Sequence, residues 1–460
     1  MEELEKLYEQ IKRIRRAQEV CNLFYWDMQT VMPAGGVQVH SDTYNHYERK
    51  LFNMETSKEL KDVLEKLSEE DIYKQLNPTN KFIVKRMLRN LEKNEKIPRK
   101  LANENIEITT KAQFNWKRAK KNSDYSLFEN DLYSLISVKK EMYRFTDPEK
   151  DAYDAMIDKY EEGMTSEVID GLFEELKKEL IPLLKDVLER EKNANRSVFE
   201  GKKFDISRQK EIQDFLLKYI GFDFSKGVVG ETEHPFTMSF NSGDVRITNH
   251  FYEDNVLSGI FSAIHEGGHA IFEQNINPDY DNSVAGGCDN MGIHESQSRF
   301  YENVLGRNIN FWIPIYDKIR EIEPEFNDIS LNDFAEEIIR VKNDYIRVDA
   351  DELTYCLHII LRYEMEKAIF RDNVPVDELP KLWNQKMEEY LFITPLNDSL
   401  GILQDSHWSG GDFGYFPSYL LGSIYDGMLL EQIEEELGSV DEILKNGDII
   451  KITRWLNEKI

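Results

Sequence analysis

His265-Glu266-Gly267-Gly268-His269 carries the clearest chemical signal in the chain, because it spaces two imidazoles and a carboxylate for a divalent metal. Residues four apart on a helix lie about 40° apart around its axis, so His265 and His269 offer nitrogens to one ion without bending the backbone. Glu266 falls about 60° further round, placed to meet a water at the metal and not the metal itself. Leu257, Ile260, Phe261, Ile264, Ile271 and Phe272 occupy another side and give the helix a face to pack. Gly267 and Gly268 each cost a helix about 1 kcal/mol relative to alanine. Gly268 points towards the apolar side, so another element is expected to approach closely there. A catalytic zinc takes three protein ligands and keeps one position open. The third should come from a neighbouring helix, and His294-Glu295-Ser296-Gln297-Ser298-Arg299 opens one. Spacing alone leaves Glu295 and His294 as competing donors.

The elements around this motif read as mostly helical. Only 24 glycines and 13 prolines interrupt 460 residues, fewer breakers than a many-turned β fold needs. Residues 1 to about 230 form a succession of amphipathic helices. One starts near Ser166 with Val168, Ile169, Leu172, Phe173, Leu176 and Leu180 on a stripe, and Pro182 should kink or end it. A loop is expected around Asn193 to Lys203. Phe236 to Phe240 and Val245 to Thr248 flank the turn residues Asn241-Ser242-Gly243-Asp244, which predicts a hairpin. Helical periodicity returns at about Asp254 and runs to the end, apart from a glycine-rich loop at Ser409 to Gly414. The expected fold is mainly α: a large bundle-like helical body with a very small β-sheet next to the metal-motif helix.

Composition narrows the partners. A net charge of −28 repels phosphate backbones and anionic lipid, which argues against nucleic acid and membrane. Cys21, Cys288 and Cys356 are too few and too scattered for a disulfide framework or a four-cysteine zinc site. No stretch approaches 18 consecutive apolar residues, and Met1 to Arg16 is a charged amphipathic pattern without the apolar core of a signal peptide. A cytoplasmic protein is the expectation.

Six ordered motifs resemble the thermostable carboxypeptidase Taq family of metallocarboxypeptidases. They are His234-Pro235-Phe236; Asp244-Val245-Arg246-Ile247-Thr248; the run from His265 to His269; His294 to Ser298; Ile346-Arg347-Val348-Asp349-Ala350-Asp351; and the run from Gly401 to Trp408, which includes Gln404-Asp405-Ser406-His407. Trp26-Asp27 followed by Met32-Pro33 adds a likeness near the N-terminus. The resemblance implies a helical fold with a deep substrate groove, similar to neurolysin and angiotensin-converting enzyme. It implies one metallocarboxypeptidase domain over residues 1–460, in which two helical lobes flanking the groove are one arrangement, and a homodimer. The implied activity is broad removal of C-terminal amino acids from peptides with a free carboxylate, using zinc or cobalt. By motif, His265, His269 and Glu295 would hold the metal and Glu266 would be the general base. An oligoendopeptidase on a similar fold and a non-catalytic peptide-binding scaffold are the alternatives.

That chemistry asks more of the chain. Tyr419 and Tyr415 are candidates to stabilise the oxyanion, as phenols do in similar folds. A terminal carboxylate is best met by a guanidinium, and Arg347, read with Asp351 as an i, i+4 pair on one helix, competes for that role with Arg246. Asp244, Arg246 and Thr248 alternate onto one strand face, where they either line the groove or brace each other. His234 and His407 stand in non-periodic sequence, where each could bind the substrate backbone, orient Tyr419 or be purely structural.

Overall fold

The computed structural model describes residues 2–191, 196–281, 283–288 and 290–460. The N-terminal half is a run of helices: α1 (Glu2–Thr30), α2 (Val37–Glu55), α3 (Lys58–Ser68), α4 (Pro78–Asn94), α5 (Arg99–Asn122), α6 (Ser126–Thr146), α7 (Ala152–Tyr160), α8 (Ser166–Glu191) and α9 (Ile206–Ile220). A three-stranded sheet follows, built from β1 (Gly227–Glu231), β2 (Thr237–Asn241) and β3 (Asp244–Asn249). The remaining long helices are α10 (Val256–Gln274), α11 (Met291–Arg299), α12 (Glu352–Phe370), α13 (Leu379–Leu391), α14 (Phe416–Leu437) and α15 (Ile449–Lys459). The mainly helical class and the small sheet beside the metal-motif helix agree with the sequence reading. No helix among the described residues is long and apolar enough to cross a membrane.

β2 and β3 form the expected hairpin, and β1 adds a parallel partner on the far edge of β3, giving the order β1-β3-β2. Composition hid β1, since Gly227-Val228-Val229-Gly230-Glu231 carries two glycines and is only partly buried. Pro182 does not end α8, which continues to Glu191. Proline removes one helical hydrogen bond, but Leu184 beyond it is fully buried, and Leu180, Ile181 and Leu188 pack on the same apolar cluster. Of the loop expected at 193–203, residues 193–195 lie outside the described set and the rest is non-helical.

Two large apolar clusters organise the body. One gathers residues of α5 to α8 with α12, α13 and the start of α14. The other gathers α9, the sheet, α10, the segment after α11 and the C-terminal helices. α10 belongs to the second, with 13 of its 19 residues buried. α14 reaches both, through Phe416 and Leu420 at its start and Ile433 near its end.

α11 is held between α10 and α14 by missing side chains. A Cβ on Gly268 would lie 2.7 Å from the Gln297 carbonyl oxygen and 2.8 Å from the Ser298 Cα. A Cβ on Gly422, from α14, would lie 2.9 Å from the Glu295 Cβ. Both glycines give up helix propensity so that the backbone bearing Glu295 can come within reach of His265 and His269. The close approach expected at Gly268 is the α11 backbone.

Candidate active site

Asn255 starts α10 by accepting the Ser258 N–H, and the helix then carries His265 and His269 out on one turn. Glu295 arrives from α11. Its Oε2 lies 3.9 Å from His265 Nε2 and 3.6 Å from His269 Nε2, and one ligand atom from each of the three falls within 4.8 Å of the others. Bonds of about 2.1 Å set tetrahedral donors about 3.4 Å apart, so this N, N, O set fits a divalent ion with a small inward movement. His294 is turned away. Its Nε2 meets Glu273 Oε1 at 2.9 Å, and its ring stacks on His269 at 4.4 Å.

His265 presents Nε2 because Nδ1 is occupied, 2.8 Å from Glu302 Oε2. Glu302 sits on a π-helical turn, Phe300–Leu305, that continues α11. Burial alone would raise its carboxyl, but Arg299, the His265 bond and Arg307 hold it down at about 2. Arg299 Nη1 donates to Glu302 Oε2 at 2.7 Å, and its guanidinium stacks 3.6 Å over the Tyr355 ring. Glu266 lies beside the triad on the groove side. Burial pushes its carboxyl up to about 6, against the pull of His265, and the Thr237 hydroxyl of β2 donates to its Oε2 at 2.5 Å.

The motif opens onto two cavities that share Glu233, His234, Pro235, His265, Glu266 and Tyr419. The first, of about 350 Å³, contains His269, Glu295, His407 and Tyr415. The second, of about 470 Å³, ends on Arg347. Tyr419 joins them, with its hydroxyl 2.9 Å from His407 Nε2 and its ring 4.8 Å beneath the Arg347 guanidinium. Tyr415 instead donates to Glu295 Oε1 at 3.2 Å. Burial, followed by the charge of Arg347, pushes His234 down to about 3 and His407 well below its ordinary value, so both rings are neutral.

Arg347 is buried, and its anchoring is tertiary. Its Nε donates to Asp405 Oδ1 at 2.9 Å and its Nη1 to the Tyr355 hydroxyl at 3.3 Å. Asp405 also takes Arg362 Nε at 2.6 Å. Nη2 of Arg347 has no hydrogen-bond partner among the described residues, and Arg347 lines the second cavity.

Two expectations need correction. Arg347 and Asp351 do not share a helix: Arg347 lies in a short 3₁₀ turn, and Asp351 caps α12 by accepting the Leu353 and Thr354 N–H groups at 2.9 and 3.0 Å. Capping satisfies otherwise unpaired donors and fixes Asp351 away from both cavities. Arg246 likewise lines neither cavity. It forms a bidentate pair with Asp244 at 2.9 and 2.7 Å and lies over Phe240, which is the bracing alternative.

Glu302, Arg299, Tyr355, Asp405 and Thr237 escaped the sequence reading. Glu302 left one trace, a second carboxylate two helical turns after Glu295. Asp405 stood in the motif run from Gly401 to Trp408 with no role assigned, and Tyr355 left no trace, since their partner Arg347 is reached only through packing.

A helical body enclosing a groove, with an HExxH helix and a glutamate from a later helix at its centre, defines the class of helical metallopeptidases. Residues 6–460 match the family Carboxypeptidase Taq (M32) metallopeptidase, and the chain belongs to that family. It is 43% identical over 456 residues to carboxypeptidase 1 of Bacillus subtilis, covering 99% of this chain and 90% of that one. It is 33% identical over 444 residues to thermostable carboxypeptidase 1 of Thermus thermophilus, covering 95% and 87%. The crystal structure of BsuCP superposes with a TM-score of 0.95 at 42% identity, over 100% of this chain and 92% of that one. The protein is a metallocarboxypeptidase, a peptide hydrolase that uses a divalent metal. Neither an oligoendopeptidase nor a non-catalytic scaffold is favoured.

Proposed function

We propose that His265, His269 and Glu295 hold zinc, with cobalt as an activating alternative, and that Glu266 is the general base for release of C-terminal residues with broad specificity. The observation that carries this is the position of three convergent ligand atoms at the junction of two cavities, one of which ends on a buried arginine with an open Nη2. When bound, the ion supplies a Lewis acid and a water of lowered pKa. Glu266 takes the proton from the attacking water on its carboxylate and returns it to the leaving amine. Arg347 binds the terminal carboxylate from the side opposite Asp405 and so places the last peptide bond over Glu266. With His407 donating from Nε2 to the Tyr419 oxygen, the phenolic proton of Tyr419 is free for the oxyanion that develops on the scissile carbonyl. Tyr415 orients Glu295. His234, neutral and present in both cavities, bonds the substrate backbone. The homodimer rests on the family likeness alone, and the cytoplasmic location on the composition of the chain.

Mass spectrometry of an unblocked peptide library incubated with metal-replete protein tests the reading. Ladders shortened one residue at a time from the C-terminus are expected, and amidated peptides should be shortened far more slowly. Internal fragments from blocked peptides would overturn it.

Glu302 is assigned a positioning role, since it fixes the ring and tautomer of His265. Glu302→Gln is expected to weaken zinc binding about 10–100-fold, measured by competition with a chelator, while circular dichroism stays native.

A further inference from the structure

A third cavity, of about 350 Å³, equals the first in volume and shares no residue with the two at the HExxH helix. It lies among α3, α4, α6 and α7, with apolar walls from Leu60, Met87, Leu91, Ile97 and Met142. In a chain of net charge −28, five basic side chains but only three acidic ones line it. Most of those charges are already spent. Buried Asp158 accepts Arg89 and Lys93, both at 2.9 Å, and Lys93 also reaches Asp147 at 3.5 Å.

Glu55 and Lys139 are the exceptions, and Lys139 is the one among the basic side chains. Its ammonium makes no hydrogen bond or ion pair among the described residues, although its side chain packs so closely that a Cβ on Gly411 would lie 2.5 Å from its Cε. Burial, followed by Lys159, pushes it down to about 8. The Tyr143 hydroxyl on the same wall also lacks a hydrogen-bond partner among the described residues. An ammonium and a phenol without protein partners, on a cavity that also carries Leu60, Met87, Leu91, Ile97 and Met142, leave donors free for a ligand.

We propose that this cavity binds a small carboxylate with an apolar tail, its carboxylate on the Lys139 ammonium and the Tyr143 hydroxyl and its tail among Met87, Leu91 and Met142. A cavity of this size suits a ligand of modest size, and a cation with an adjacent hydroxyl donor matches a carboxylate. Two sources share that chemistry: a medium-chain acyl carboxylate, and an apolar free amino acid such as the enzyme releases. The cavity adjoins the catalytic groove. Lys159, on its rim, donates to the Tyr160 hydroxyl at 2.8 Å, and the Tyr160 ring packs edge-on against Tyr415 at 5.0 Å.

Methyl NMR of the holoenzyme labelled at methionine tests this, because Met87 and Met142 report on the walls and no methionine lines the two cavities at the HExxH helix. Octanoate and phenylalanine are titrated in parallel, with inorganic phosphate and octylamine as controls for charge without a tail and for a tail of the wrong charge. Octanoate, phenylalanine or both should shift the Met87 and Met142 signals with a Kd at or below about 1 mM, and neither control should. Whichever of the two binds identifies the source. Lys139→Leu should weaken that binding at least about tenfold; if this variant misfolds, Tyr143→Phe, expected to weaken it several-fold, takes its place. Absence of shifts at both methionines, equal shifts with octylamine, or unchanged affinity in the folded variant would each overturn the site. None of these readouts depends on peptide cleavage.

Discussion

Glu266→Gln is expected to lower kcat by about 10²- to 10⁴-fold, the range that a positioned acid–base group contributes, and to leave the bound metal in place. The amide keeps the side chain's shape and retains an oxygen to accept the Thr237 hydroxyl, which donates to Glu266 Oε2 at 2.5 Å. It cannot take up a proton. His265, His269 and Glu295 are untouched, so elemental analysis should find unchanged stoichiometry beside the lost turnover. The magnitude separates this residue from its neighbours: a group that only packed against α10 would change stability and leave kcat nearly alone. Turnover within a few-fold of the parent enzyme would remove Glu266 from the proposed chemistry.

The second large effect is expected at Arg347. Arg347→Lys keeps a positive charge near Asp405, which Arg362 also holds at 2.6 Å, but it loses the planar fork that lets one face bind Asp405 and another bind substrate. A hydrogen bond to a charged group is worth about 1.5–3 kcal/mol, so kcat/KM for peptides with a free C-terminus should fall roughly 10- to 150-fold. Residual cleavage of the corresponding amides should not fall. The ratio of the two substrates is therefore the decisive readout, because misfolding or metal loss would depress both. An equal loss on both would refute carboxylate recognition by Arg347. Lysine is the substitution of choice, since removing the charge would leave the buried carboxylate of Asp405 with one counter-ion fewer and cost stability for a separate reason.

Much of the site was legible because its parts are local. The i, i+4 spacing of His265 and His269, the offset of Glu266, and the apolar face through Ile260 and Ile264 all follow from helix geometry, whatever packs around them. The alternating residues of β2 and β3, with Asn241 to Asp244 between them, were readable for the same reason. Gly268 is an intermediate case. Its position announced a close approach, but the identity of the approaching backbone, Gln297 and Ser298, required the fold.

The limits are equally physical. The helical period of α12 does not reach back past Asp351, whose side chain caps its start, so Arg347 in the preceding 3₁₀ turn shares no helix face with it. Tyr415 and Tyr419 are four residues apart and similar by sequence, yet one donates to Glu295 and the other contacts His407.

The sequence by itself determined the helical class, the metal-motif helix and the candidate third ligands, because periodicity and spacing act within a turn or two of chain. Only the tertiary structure decided which candidate faces the histidines, which arginine reaches a cavity, and that Glu302 and Asp405 hold His265 and Arg347 in place. Those contacts join residues from 37 to 58 positions apart. They exist only because packing of the apolar clusters, with glycines at the crossings, brings those elements together.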